Sequence, residues 1–197
     1  MTRYVFFILI VSLGLGCSQS GDSNLDALMN AEHNVEAGMS VLETWNVDSV
    51  AAVRERVATR FRDLDWLVAD STLTYTVKDG QLIGDWARVK RFLKDGPTRL
   101  VTLREQGALC LTQLNGLMHA IRSGAKEDAN GTPMNDAYFS KEAQRELTAA
   151  KTWGMAVAET ERLLSLGVEL EAQTLASIDS LIQTKRAEWA HNIASEN

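Results

Sequence analysis

Glu188 and His191 stand three residues apart in a helical pattern, and they are the first place to look for chemistry in this 197-residue chain. Helix bundles hold carboxylate-bridged metal pairs with Glu-x-x-His at that spacing, but they need two such pairs and two further inward glutamates. The sequence contains no second Glu-x-x-His, so this pair reads as solvated. Met29, Glu32, His33 and Met39 sketch a soft metal site, yet methionines at helical spacing more often fill a core. No metal site and no cofactor are assigned. Nothing in the sequence suggests a Ser/His/Asp or Cys/His arrangement, a glycine-rich phosphate loop, a haem-attachment motif or zinc spacing. The expectation is a protein that is not an enzyme.

Two sets of residues remain as candidates for binding. Glu32, Glu161 and Glu171 fall on apolar helix faces, where a polar residue fixes register or lines a wet spot. If they cluster with a histidine, the chain is a small-molecule or metal-binding bundle, which is the alternative reading. The five tryptophans are many for a helical chain. On the plain reading they wedge between helices; as anchors for a partner protein, the residues singled out are Trp45 and Trp153, because interface hot spots are rich in tryptophan.

The address of the chain is written in its first residues. Arg3 supplies a positive start, residues 5–15 are apolar or small, and Gly16 precedes Cys17. This is the layout of a secretory signal, too short to span a bilayer as a helix, which takes about 20 residues. Gly14-Leu15-Gly16-Cys17 resembles the lipobox of bacterial lipoproteins, with Gly14 where that family usually carries leucine. The resemblance covers the signal segment alone. It implies cleavage before Cys17, which then bears the lipid, so that residues 1–16 are a signal peptide. Residues 17–22 are then the lipidated cysteine and a flexible leash, and residues 23–197 the folded domain. The other reading is ordinary cleavage at the small pair Gly14 and Gly16, giving a secreted protein. Ser18 after the cysteine resembles the class sorted to the outer membrane. The implied partners are the membrane, through the anchor, and another envelope protein.

Charge agrees with this address. The chain has a net charge of −6, without the basic footprint of a nucleic-acid binder. Cys110 is a lone thiol once Cys17 is lipidated, so no disulfide is expected within the chain.

The elements that must position these residues are helices. Prolines number two, and apolar residues recur at three- and four-residue spacing. Leu25, Leu28, Val35, Met39 and Leu42 belong to a helix capped by Ser23; Val50, Val53, Val57, Phe61, Leu64 and Leu67 continue it after a break or bend at Asn46. Residues 71–80 alternate like a strand without a partner, which predicts an extended connector ending in an Asp79-Gly80 turn. A seven-residue phase then runs from Leu82 through Leu114 and Leu117, interrupted at Gly96-Pro97, where proline kinks a helix or starts another. Residues 123–137 form the longest loop, and a last helical stretch carries a bend at Gly167. The fold expected is all-α: an antiparallel bundle of three long, bent helical rods, or four to five shorter helices if the breaks are complete.

Overall fold

The structure, a computed structural model, describes residues 19–196. The signal segment 1–16 and Cys17, to which the sequence assigns the lipid, lie outside the described residues. Five helices follow one another: α1 (Gln19–Glu43), α2 (Val47–Val68), α3 (Val77–Phe92), α4 (Gly96–Ser123) and α5 (Asp136–Glu196). They stack into three rods, α1 with α2, α3 with α4, and α5 alone. α1 packs on α4 and on the first half of α5, while α2 and α3 pack on its second half. The rods alternate in direction, since Leu103 of α4 meets Trp153 of α5 and the earlier Leu93 meets the later Gly167. Asn24 donates to Ser140 Oγ at 3.3 Å, tying the start of α1 to the start of α5.

α5 organises the rest. Its 61 residues correspond to about 92 Å at 1.5 Å per residue. From residue 143 to residue 185 a buried position recurs at alternating steps of three and four without a slip. A seven-residue repeat kept over six turns of the pattern makes a helix coil gently around its neighbours, so its buried stripe stays facing them. Gly167 does not break the helix: α5 runs through it as one element. A Cβ there would lie 2.7 Å from Leu93 Cγ and 3.2 Å from Phe92 Cβ. Glycine at this position makes room for the end of α3, and the buried stripe on either side outweighs its helix penalty of about 1 kcal/mol.

The other two breaks fall where expected. Asn46 caps α2, its side chain accepting from the Ser49 amide at 2.8 Å, with Asp48 in the first turn. The end of α1 is closed from another rod: the Arg104 guanidinium donates to the carbonyls of Leu42 and Trp45 at 2.7 and 2.6 Å, a cation at a helix C-terminus. α3 ends at Phe92 and α4 begins at Gly96, with Pro97 in its first turn, where its missing donor costs nothing.

Three local expectations are corrected. The chain is already helical at Gln19, the first described residue, so Ser23 lies within α1 and does not cap it; a polar composition does not bar helix, which extends cheaply once nucleated. Asp79-Gly80 is the first turn of α3, not a turn ending a connector. The Thr76 hydroxyl accepts from the Asp79 amide at 3.2 Å and the Asp79 carboxylate accepts from the Thr76 amide at 2.8 Å, a reciprocal pair that starts a helix. Past Leu114 the buried phase passes to Met118 and leaves Leu117 half-buried, the drift of a 3.6-residue helix against a 3.5-residue repeat. The α4–α5 loop closes with Asn135, whose side chain accepts from the Tyr138 amide at 2.9 Å.

Two glycines of α5 should respond oppositely to alanine. Gly154 has no atom within 4 Å of an added Cβ, so Gly154→Ala stabilises by up to about 1 kcal/mol. Gly167→Ala forces Leu93 aside and destabilises by about 1–3 kcal/mol. Thermal unfolding of the two variants, compared with the parent, checks both signs.

Candidate interaction surface

Trp153 is not an anchor for a partner. It is 5% exposed and its ring fills a slot between two glycines: a Cβ on Gly38 of α1 would lie 2.7 Å from its Cζ3, and one on Gly107 of α4 would lie 2.7 Å from its Cζ2. Its indole Nε1–H donates to the Leu103 carbonyl at 2.8 Å. One side chain of α5 thus locks all three rods together. The expected role fails because the polar edge of the indole, which an exposed anchor would offer outward, is spent inside. Trp45, the other residue singled out, is half-buried against the core just past the end of α1.

The seam carboxylates do not gather into a site. Glu171 is buried and accepts from Arg56 Nε at 3.0 Å. Glu161, ten residues away on the same helix, is exposed, and Glu32 is half-buried on α1. Among the described residues no group of three His, Cys, Asp or Glu side chains could hold a metal ion. Glu188 turns from His191 to Lys185, accepting from its Nζ at 2.8 Å. Met39 packs toward Gly107, while His33 is exposed. Cys110 is half-buried, and burial pushes its thiol up from its ordinary value.

The exposed aromatic is one that sequence reasoning passed over. Trp66, 49% exposed, meets Trp189 edge-on at 4.9 Å between ring centres. It sits at the end of the bundle opposite the α1 N-terminus, beside the α2–α3 connector. A signal was available: Trp66 stands off the apolar phase set by Leu64 and Leu67. The connector beneath it is held by carboxylates. Asp70 accepts from the Thr72 hydroxyl at 2.7 Å and its amide at 2.8 Å, Asp79 caps α3, and Glu188 bonds Lys185. These bonds hold all three carboxyls below their ordinary values. Lys185 is 7% exposed; it also donates to the Thr74 carbonyl and lies 5.0 Å over the Tyr75 ring. Burial pushes the Tyr75 phenol up.

Two of the grooves between rods carry charged edges. One, of about 490 Å³, lies between α4 and α5 and is of mixed charge: Asp95, Arg99 and Glu159 share it with Thr98, Thr102 and Thr160. The other, of about 370 Å³, lies between α2 and α3 and is edged by Arg54, Lys90 and Lys94 over Ala51, Ala58 and Leu93. Comparison with protein families, curated proteins and solved structures finds no match to this chain.

Acrylamide should quench Trp66 far more than Trp153. The Trp66→Phe variant then loses a large share of the quenchable emission and Trp153→Phe loses little; the reverse pattern would misplace both rings. Acid should loosen the connector first. Carboxyls with depressed folded values contribute stability above their unfolded values of 3.8 to 4.5, and lose it as the pH falls further. The amide NMR signals of Thr72 and Thr76 should broaden or shift below pH 3.8 while those around Trp153 persist.

Proposed function

We propose that this chain is a membrane-anchored envelope lipoprotein, tethered through Cys17, whose helical bundle is a strut that works by presenting helix surfaces to another envelope protein. It binds rather than catalyses, and the outer membrane is its site. The observation that carries this reading is the relation of tether to rod. The chain is helical at Gln19, two residues after Cys17, and Asn24 of α1 meets Ser140 near the start of α5, which then runs as one helix for about 92 Å. A chain anchored at that end holds its other end, with Trp66 and the α2–α3 groove, well away from the bilayer. Further support comes from the seam. Its larger apolar members fill the centre, and its buried Glu171 is neutralised by Arg56 within the fold rather than left facing a cavity.

A single acyl chain holds a protein only marginally, whereas two or more hold it stably. Growth of the producing cell with a clickable palmitate analogue tests the tether. Label is expected on the parent and on Cys110→Ala, and is expected to vanish from Cys17→Ala. Equal labelling of the parent and Cys17→Ala would overturn the anchor.

A further inference from the structure

The groove between α2 and α3 holds positive charge that the fold leaves unbalanced, in a chain whose net charge is −6. Residues 54–62 hold four basic side chains and one acidic, and residues 88–94 four basic and none acidic. The two segments lie on neighbouring helices that share the groove. Cations of α2 that face α5 are matched there, Arg56 by Glu171 at 3.0 Å and Arg60 by Asp179 at 2.9 Å. Those at the groove are not. Among the described residues Arg54 and Lys94 pair with no carboxylate, and Lys90 rests only over the Phe61 ring at 4.5 Å. The one carboxylate at the groove, Glu55, is taken by Arg62 at 3.2 Å.

Like charges held along one groove repel, and folding gains nothing from keeping them there. Oppositely charged groups on a partner turn that cost into steering and register. The floor narrows the class of partner. Ala51 and Ala58, seven residues apart on α2, are small and face the groove, with the buried Leu93 beneath them, so the base is apolar and open enough for inserted side chains. An inorganic anion would meet the cations and leave this floor in water. A helix with one apolar stripe and acidic flanks satisfies both, as amphipathic helices do when they lie in a groove.

We propose that the α2–α3 groove docks an acidic amphipathic helix of another protein, its carboxylates on Arg54, Lys90 and Lys94 and its apolar stripe on Ala51 and Ala58. This rests on the reading of the chain as an interaction module and names the chemistry of its partner. Lipid labelling at Cys17 does not depend on these residues, so failure of the groove and failure of the tether are separate results.

The test uses the full chain and a designed 18-residue helical peptide with a leucine stripe flanked by glutamates, followed by fluorescence anisotropy. The peptide is expected to bind at low salt and to weaken as salt rises. Affinity should fall at least tenfold for the Arg54→Gln, Lys90→Gln, Lys94→Gln triple variant, and the same peptide with lysines for glutamates should not bind. Lys90 and Lys94 are exposed and Arg54 is half-buried without an ion-pair partner among the described residues, so the triple variant is expected to melt close to the parent. Equal binding by parent and triple variant, no binding by either, or loss on Trp66→Ala instead would overturn the proposal. So would pyrophosphate that binds the parent as tightly as the peptide and loses that affinity in the triple variant, because the groove would then be a small-anion site.

Discussion

The rest of the fold hangs on the unbroken stripe of α5. A helix of 61 residues cannot hide its apolar face against itself, so each stretch of it must find cover from another rod. The breaks at Asn46 and at Gly96-Pro97 let two shorter pairs of helices provide that cover, each interrupted where α5 is continuous. Where the cover comes closest, the contact is made by removing side chains. Gly38 and Gly107 admit the Trp153 ring, and Gly167 admits Leu93. Each of these glycines weakens its own helix by about 1 kcal/mol, less than the 1.5–3 kcal/mol that follows from burying a large apolar side chain fully.

The polar members of the stripe follow the same logic. Glu171 is matched by Arg56 from α2, and Lys185 by Glu188 and the Thr74 carbonyl. Partners of this kind come from particular rods at particular heights, so they fix which helix covers which part of α5. Cations on the outer side of α2 and α3 have no such duty, which is why their concentration in one groove bears on binding rather than on folding. Trp86 shows the limit of this satisfaction: it is fully buried and its Nε1 has no hydrogen-bond partner, whereas the Trp153 indole is paired.

Much of this architecture is legible in the sequence because it is local. A capping asparagine, a proline and a three-four spacing act within a turn or two, and they place the elements at Asn46, at Pro97 and along α5. Thr76 and Asp79 carry an equally local signal, masked by the alternation of Leu73, Tyr75 and Val77. Non-local features are not legible. Gly167 reads as a weak point because glycine weakens a helix, and only the approach of Leu93 from another rod gives it the opposite meaning. Trp153 reads as a free aromatic until Gly38 and Gly107 are known to face it. Cys17 is the reverse case: its reading rests wholly on sequence, since it lies outside the described residues.

A strut needs a straight member, so the continuity of α5 is the claim on which the account turns. Spin labels at the exposed positions Lys151 and Ala187, in a background without Cys17 and Cys110, bracket Gly167. Thirty-six residues of unbroken helix separate them by about 54 Å. Pulsed dipolar spectroscopy should give one narrow distribution near that distance. A markedly shorter or broad distribution would mean that α5 bends or breaks at Gly167, and the strut would fall with it.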